Sequence, residues 1–85
     1  MYDKPHHIRE RFPEKRDRID RLMVEDPEFL ALCEDYDACV NALQYWVQSK
    51  EPEAEVRASE YRNLISELEE EIKQALETLT PRHPD

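Results

Sequence analysis

Glycine is missing from all 85 residues, and the only two asparagines, Asn41 and Asn63, do not replace it. Tight β-hairpin turns lean on Gly or Asn at positive φ, and neither asparagine lies between two strand-like runs, so an antiparallel sheet has no turn chemistry to build on. Long apolar runs are missing as well. The longest, Phe29 to Cys33, has five residues, far short of the roughly 20 needed to cross a bilayer. The opening stretch MYDKPHHIRERF has no apolar core of the kind a signal peptide carries. These absences predict a soluble, cytoplasmic chain. Cysteine is scarce too. Cys33 and Cys39 sit six apart on a predicted helix, about 9 Å along its axis and on different sides, so they cannot bridge each other and read as small apolar residues, a reactive or intermolecular thiol being the alternative.

What the chain has in quantity is charge. Charged residues make up 39% and the net charge is -9. Its distribution is uneven: residues 1–21 sum to +2 and residues 22–85 to -11. An acidic body argues against nucleic acid, because binding a phosphate backbone requires a basic face. Only the first segment offers one, through Arg9, Arg11, Lys15, Arg16, Arg18 and Arg21. Those side chains interleave with acids, and the spacing predicts i,i+4 pairs, Glu14 with Arg18 and Asp17 with Arg21, on a solvated helix face. A nucleic-acid accessory role for this segment is the alternative reading.

The six prolines fall at 5, 13, 27, 52, 81 and 84, between the periodic segments. Residues 1–11 read as a flexible arm. Pro13 suits the first turn of a short helix over 12–25, whose apolar edge is Ile19, Leu22 and Met23. Asp26-Pro27-Glu28 is the strongest boundary, with Asp as N-cap, Pro at the first helical position and Glu where the helix dipole favours negative charge. A long helix over 27–49 follows. Its apolar residues occupy three adjacent heptad columns: Phe29, Tyr36 and Leu43; Leu32, Cys39 and Trp46; Cys33, Val40 and Val47. After the break at Pro52, a second long helix over 53–79 carries Ala54, Ala58, Tyr61, Ile65, Leu68, Ile72, Ala75 and Leu79, alternately four and three apart. Thr80 precedes Pro81, which disfavours the helical region and ends the run, leaving 80–85 as a frayed tail.

This pattern predicts one all-α domain: an antiparallel helical hairpin of two long helices with a short N-terminal helix and coiled-coil-like packing. A connection of about five residues joins antiparallel neighbours. Pivoting near residue 50 sets Val40 beside Tyr61, Tyr36 beside Ile65, Cys33 beside Leu68 and Phe29 beside Ile72, with Trp46 between Ala54 and Ala58. Leu30, Leu64 and Leu76 remain on the flanks and form the predicted interaction surface, for a second copy of the chain or another protein.

The stretch FPEKRDRIDRLMVEDPEFLALCEDYDACVNAL, a proline-containing break and YRNLISELEEEIKQAL resemble the YdcH-like small bacterial proteins. The resemblance covers roughly residues 12 to 77 and rests on Phe12-Pro13, Ile19, Leu22, Pro27, Phe29, Leu32 and Tyr36 plus the long final helix. It implies a coiled-coil-forming domain of unknown function and carries over no catalytic residue. The family's last helix usually has a basic stretch ending in a Lys-Asp-Glu-Ile-like run, where this chain has Glu69-Glu70-Glu71-Ile72.

No catalytic, cofactor or metal residues are predicted. His6 and His7 are adjacent, and metal capture requires further ligands, for which the only other histidine is the distant His83. Glu67, Glu69, Glu70 and Glu71 read as a solvated face, since no loop gathers six or more oxygens around one point. Paired carboxylates working as acid and base need a cleft that separates their pKa values, for which a helical chain of this size leaves little room, so an enzyme is not expected.

Overall fold

The computed structural model describes residues 5–78, and all regular structure among them is helical. The elements are α1 (His7–Arg11), a 3-10 turn (Pro13–Lys15), α2 (Arg16–Glu25), α3 (Pro27–Gln48) and α4 (Ala54–Thr78). None of the described residues adopts a positive φ, in keeping with a chain that has no glycine.

Prolines and their neighbours set the breaks. Phe12 leaves the helical region at φ -123° and ψ 68° because it precedes Pro13, and α1 stops there. Asp26, extended at φ -127° and ψ 104°, serves two helices. Its amide donates back to the Leu22 carbonyl at 2.8 Å, closing α2. Its carboxylate Oδ1 accepts from the amides of Glu28 at 3.0 Å and Phe29 at 3.2 Å, opening α3. At the far end Ser49 is extended, and its hydroxyl oxygen accepts from the Glu51 amide at 3.1 Å.

The two long helices α3 and α4 pack against each other, and α1 and α2 both lie on α3. The main core gathers where the short helices meet the long ones: Ile8, Ile19, Leu22, Met23, Phe29, Cys33, Tyr36, Ile72 and Leu76. Leu30, Leu32, Val40, Ile65, Leu68 and Ala75 pack around it, half buried. Toward the 49–53 connection only Ala54 and Ala58 are buried, while Tyr45, Val47 and Val56 are more than half exposed. The radius of gyration is 14.5 Å, against about 12 Å for a compact domain of this length. The molecule is elongated, with its apolar burial concentrated away from the connection.

Three expectations change. The N-terminal segment is not a loose arm from residue 5 onward: Pro5 and Ile8 are fully buried, and α1 is helical without a capping side chain of its own. Its exposed amides are met from another element, since Asp37 Oδ1 accepts from the amides of His6 at 3.2 Å and His7 at 3.1 Å. The 12–25 helix begins with a 3-10 turn and becomes α-helical only at Arg16. Leu76 is not a flank residue; it is 1% exposed within the same core cluster as Ile19, Leu22, Met23 and Phe29, which fill that end of the molecule. Leu79 and the predicted 80–85 tail lie outside the described residues.

Candidate functional site

Two features of the surface are built from several elements at once. The first is a groove along one side of α3 and α4. Its apolar lining comes from Ala38, Cys39 and Ala42 of α3 and from Tyr61, Leu64 and Leu68 of α4, enclosing about 450 Å³. Asp35, Glu67 and Glu71 stand around it. The alanines on α3 are too short to reach across to α4, which leaves Leu64 at 44% exposure on its rim. Burial pushes the Cys39 thiol above its ordinary pKa, with Asp35 adding to the effect.

A second cleft, of about 550 Å³, lies by the connection among Trp46, Val47, Ser49, Ala54, Ala58 and Arg62. Trp46 shares this cleft with both alanines and is half buried, with its ring edge-on to Tyr45 at 4.9 Å between centroids.

Of the predicted surface residues, Leu64 alone is exposed and lines a groove. Leu30 is half buried against the core and Leu76 is inside it, so the three do not form one patch. The residues that join Leu64 are Cys39, Tyr61 and Leu68. Heptad reading places these three in the interhelical seam, and only the side chains opposite them decide that the seam is left open here.

The other feature is the dock of α1. Asp37, 7% exposed, lies beneath His6 and His7: His6 Nδ1 is 4.0 Å and His7 Nε2 3.9 Å from its Oδ1. The two imidazoles face each other with centroids 4.3 Å apart, and His7 Nε2 is 3.1 Å from Asn41 Oδ1. On the far side of α1, Arg11 Nε donates to Glu69 Oε2 at 3.1 Å, and the Tyr36 hydroxyl donates to the same oxygen at 2.7 Å. Burial, then the hydrogen bond to Glu69, pushes the Tyr36 phenol well above its ordinary value. Asp37 and Glu69 thus hold α1 from two long helices. The sequence reads Glu69 as part of a solvated face and gives Asp37 no role, since partners 30 and 58 residues away leave no local signal.

The basic face is partly consumed by this architecture. Arg11 is paired with Glu69, and Arg9 Nε lies 3.0 Å from Asp20 Oδ1. The latter pair is an ion contact without hydrogen-bond alignment, since neither atom has a hydrogen-bond partner. The Glu14–Arg18 and Asp17–Arg21 pairs do not form among the described residues; Arg9–Asp20, Arg11–Glu69 and Arg57–Glu60 form instead. No described helix is long and apolar enough to cross a membrane. Comparison with known proteins produced no matching family model, curated protein or solved structure.

Proposed function

We propose that this chain is a small cytoplasmic protein-interaction module, without catalytic activity, that pairs with a second copy of itself through the groove around Leu64. The observation that carries the proposal is that groove: an apolar lining of Cys39, Tyr61, Leu64 and Leu68 left open between two helices that are otherwise closely packed. Antiparallel, coiled-coil-like packing of α3 and α4 belongs to the same reading. It is supported by Tyr36 reaching Glu69, by Phe29 and Leu32 sharing a cleft with Ala75 and Thr78, and by Trp46 sharing one with Ala54 and Ala58. Such packing is also what the resemblance to the YdcH-like family implies, and we infer membership of that family on the residues that carry it.

A second copy is the occupant favoured by charge. Acids border the groove on α4, while Lys15, Arg16 and Arg21 are exposed on the N-terminal segment. A two-fold contact can lay the +2 segment of each copy beside the acidic helix of the other. The overall charge of -9 opposes association, but exposed charges more than about 8 Å apart are largely screened at physiological salt.

Sedimentation equilibrium at tens of micromolar tests the proposal. The parent is expected to show a dimer mass and Leu64→Asp a monomer mass with unchanged helix content. A monomeric parent overturns it, and salt-dependent binding of the parent to nucleic acid would favour the accessory role of the basic segment instead.

A further inference from the structure

His6 and His7 have a neighbour that the order of residues along the chain conceals. Together with Asp37, 30 residues further on, they present three ligand atoms that all lie within 4.8 Å of one another. Asp37 has a structural task, capping the first amides of α1. That task accounts for a carboxylate at this position. It does not account for two imidazoles with a ring nitrogen each turned onto the same oxygen, at 4.0 and 3.9 Å.

We propose that His6, His7 and Asp37 bind one divalent transition-metal ion of the zinc class, and that the ion fastens the N-terminal segment to α3. Nitrogen and oxygen ligands at 2.0–2.1 Å from a tetrahedral ion stand about 3.4 Å apart, and the three ligand atoms here lie within 4.8 Å of one another, so the imidazoles have to close in by up to about 1.4 Å. The His6 side chain, 55% exposed, is free to make the shift. Asp37 is already oriented: two backbone N–H groups anchor Oδ1, and a carboxylate has lone pairs to spare on its second oxygen. Asn41 Oδ1, 3.1 Å from His7 Nε2, is a further neutral oxygen donor at ligand spacing, and water can enter on the exposed His6 side. Two imidazoles with one carboxylate suit zinc, nickel or copper; magnesium and calcium favour oxygen ligands throughout.

The test is isothermal titration of the full chain with zinc chloride in a non-chelating buffer, with and without excess magnesium, beside thermal melts. One saturable equivalent that magnesium does not displace is expected. Zinc at ten times its dissociation constant should raise Tm by roughly 6–11 °C for a domain of this size. Replacing both His6 and His7 with Ala leaves the Asp37 cap in place and should lower affinity at least tenfold, a loss already typical of disturbing outer-shell groups, with the Tm rise abolished. Absence of saturable binding up to millimolar zinc overturns the proposal. So does a double variant that keeps parental affinity and the parental Tm rise, which would place the metal on the exposed carboxylates of α4 as an adventitious ion only.

Discussion

Asp26 ends one helix and starts the next with a single side chain. Its Oδ1 meets two amides of α3 that would otherwise face solvent without a partner. Asp26→Ala should therefore cost about 0.5–2 kcal/mol, read from the urea midpoint beside an exposed Glu→Ala control. A loss equal to the control would show that the cap adds nothing. The buried hydroxyl and thiol carry a different dependence. Burial pushes the Cys33 thiol from an ordinary 9.0 up to about 12, with Glu34 and Asp37 adding to the effect. Tyr36 is raised from 10.0 in the same direction. In the unfolded chain both groups release their protons first, so above pH 9 the unfolded state binds fewer protons than the folded one. Their contribution is complete below about pH 9 and is lost as pH rises toward the folded values. Stability measured by denaturant should fall between pH 9 and 11, and the slope should be shallower for Tyr36→Phe. An identical slope for that variant would remove Tyr36 from the explanation. Natively, Cys39 in its half-open groove should be alkylated before the buried Cys33.

At the scale of the element, α1 is the informative case. Five residues are too few to form a stable helix by propensity alone, so this one depends on what it touches. Ile8 is fully buried in the main core, the Asp37 carboxylate caps the first amides, and Arg11 reaches Glu69. Burying a side chain of that size contributes about 1.5–3 kcal/mol. Ile8→Ala should cost about 2–5 kcal/mol by denaturant unfolding, whereas Val24→Ala, at 77% exposure, should stay within about 0.5 kcal/mol. Equal, small effects would return residues 7–11 to the status of an undocked arm. The long helices behave differently. Their length and their 3,4 spacing suffice to specify them: α3 spans Pro27–Gln48 against the predicted 27–49, and α4 starts at Ala54 against the predicted 53, differences no larger than the usual fraying of helix ends.

Across the whole molecule, burial is lopsided. Nine buried residues cluster where four elements meet, and the rest of the α3–α4 pair has only its own two helices to cover it. That geometry separates two neighbours on α4. Ile65 packs against the core while Leu64 faces the groove. Ile65→Asp should lower stability by about 3 kcal/mol or more, because it places a charge against apolar surface without a partner, and association should fall with it. If the chain pairs as proposed, Leu64→Asp should separate the two effects, abolishing the dimer mass while circular dichroism at low temperature is unchanged. Loss of helix in both variants to the same degree would mean that Leu64 is a folding residue and not a contact.

The order of residues alone determined the all-helical class, the break at Asp26-Pro27, the break around Pro52 and the apolar stripes of α3 and α4, because each rests on interactions within about one helical turn: proline geometry, capping and the 3.6-residue period. It also reached Leu64 as a residue left over from the intramolecular packing. Tertiary structure alone decided the rest. Whether Leu76 is flank or core depends on which neighbours fill that end of the molecule, and they include three residues of α2. Whether residues 7–11 are helix or arm depends on Asp37 and Glu69, which lie 30 and 58 positions further along the chain. The joining of His6 and His7 to a third potential ligand has the same origin. Contacts between residues so far apart leave no periodic trace, because the chain between them closes through packing and not through any local rule.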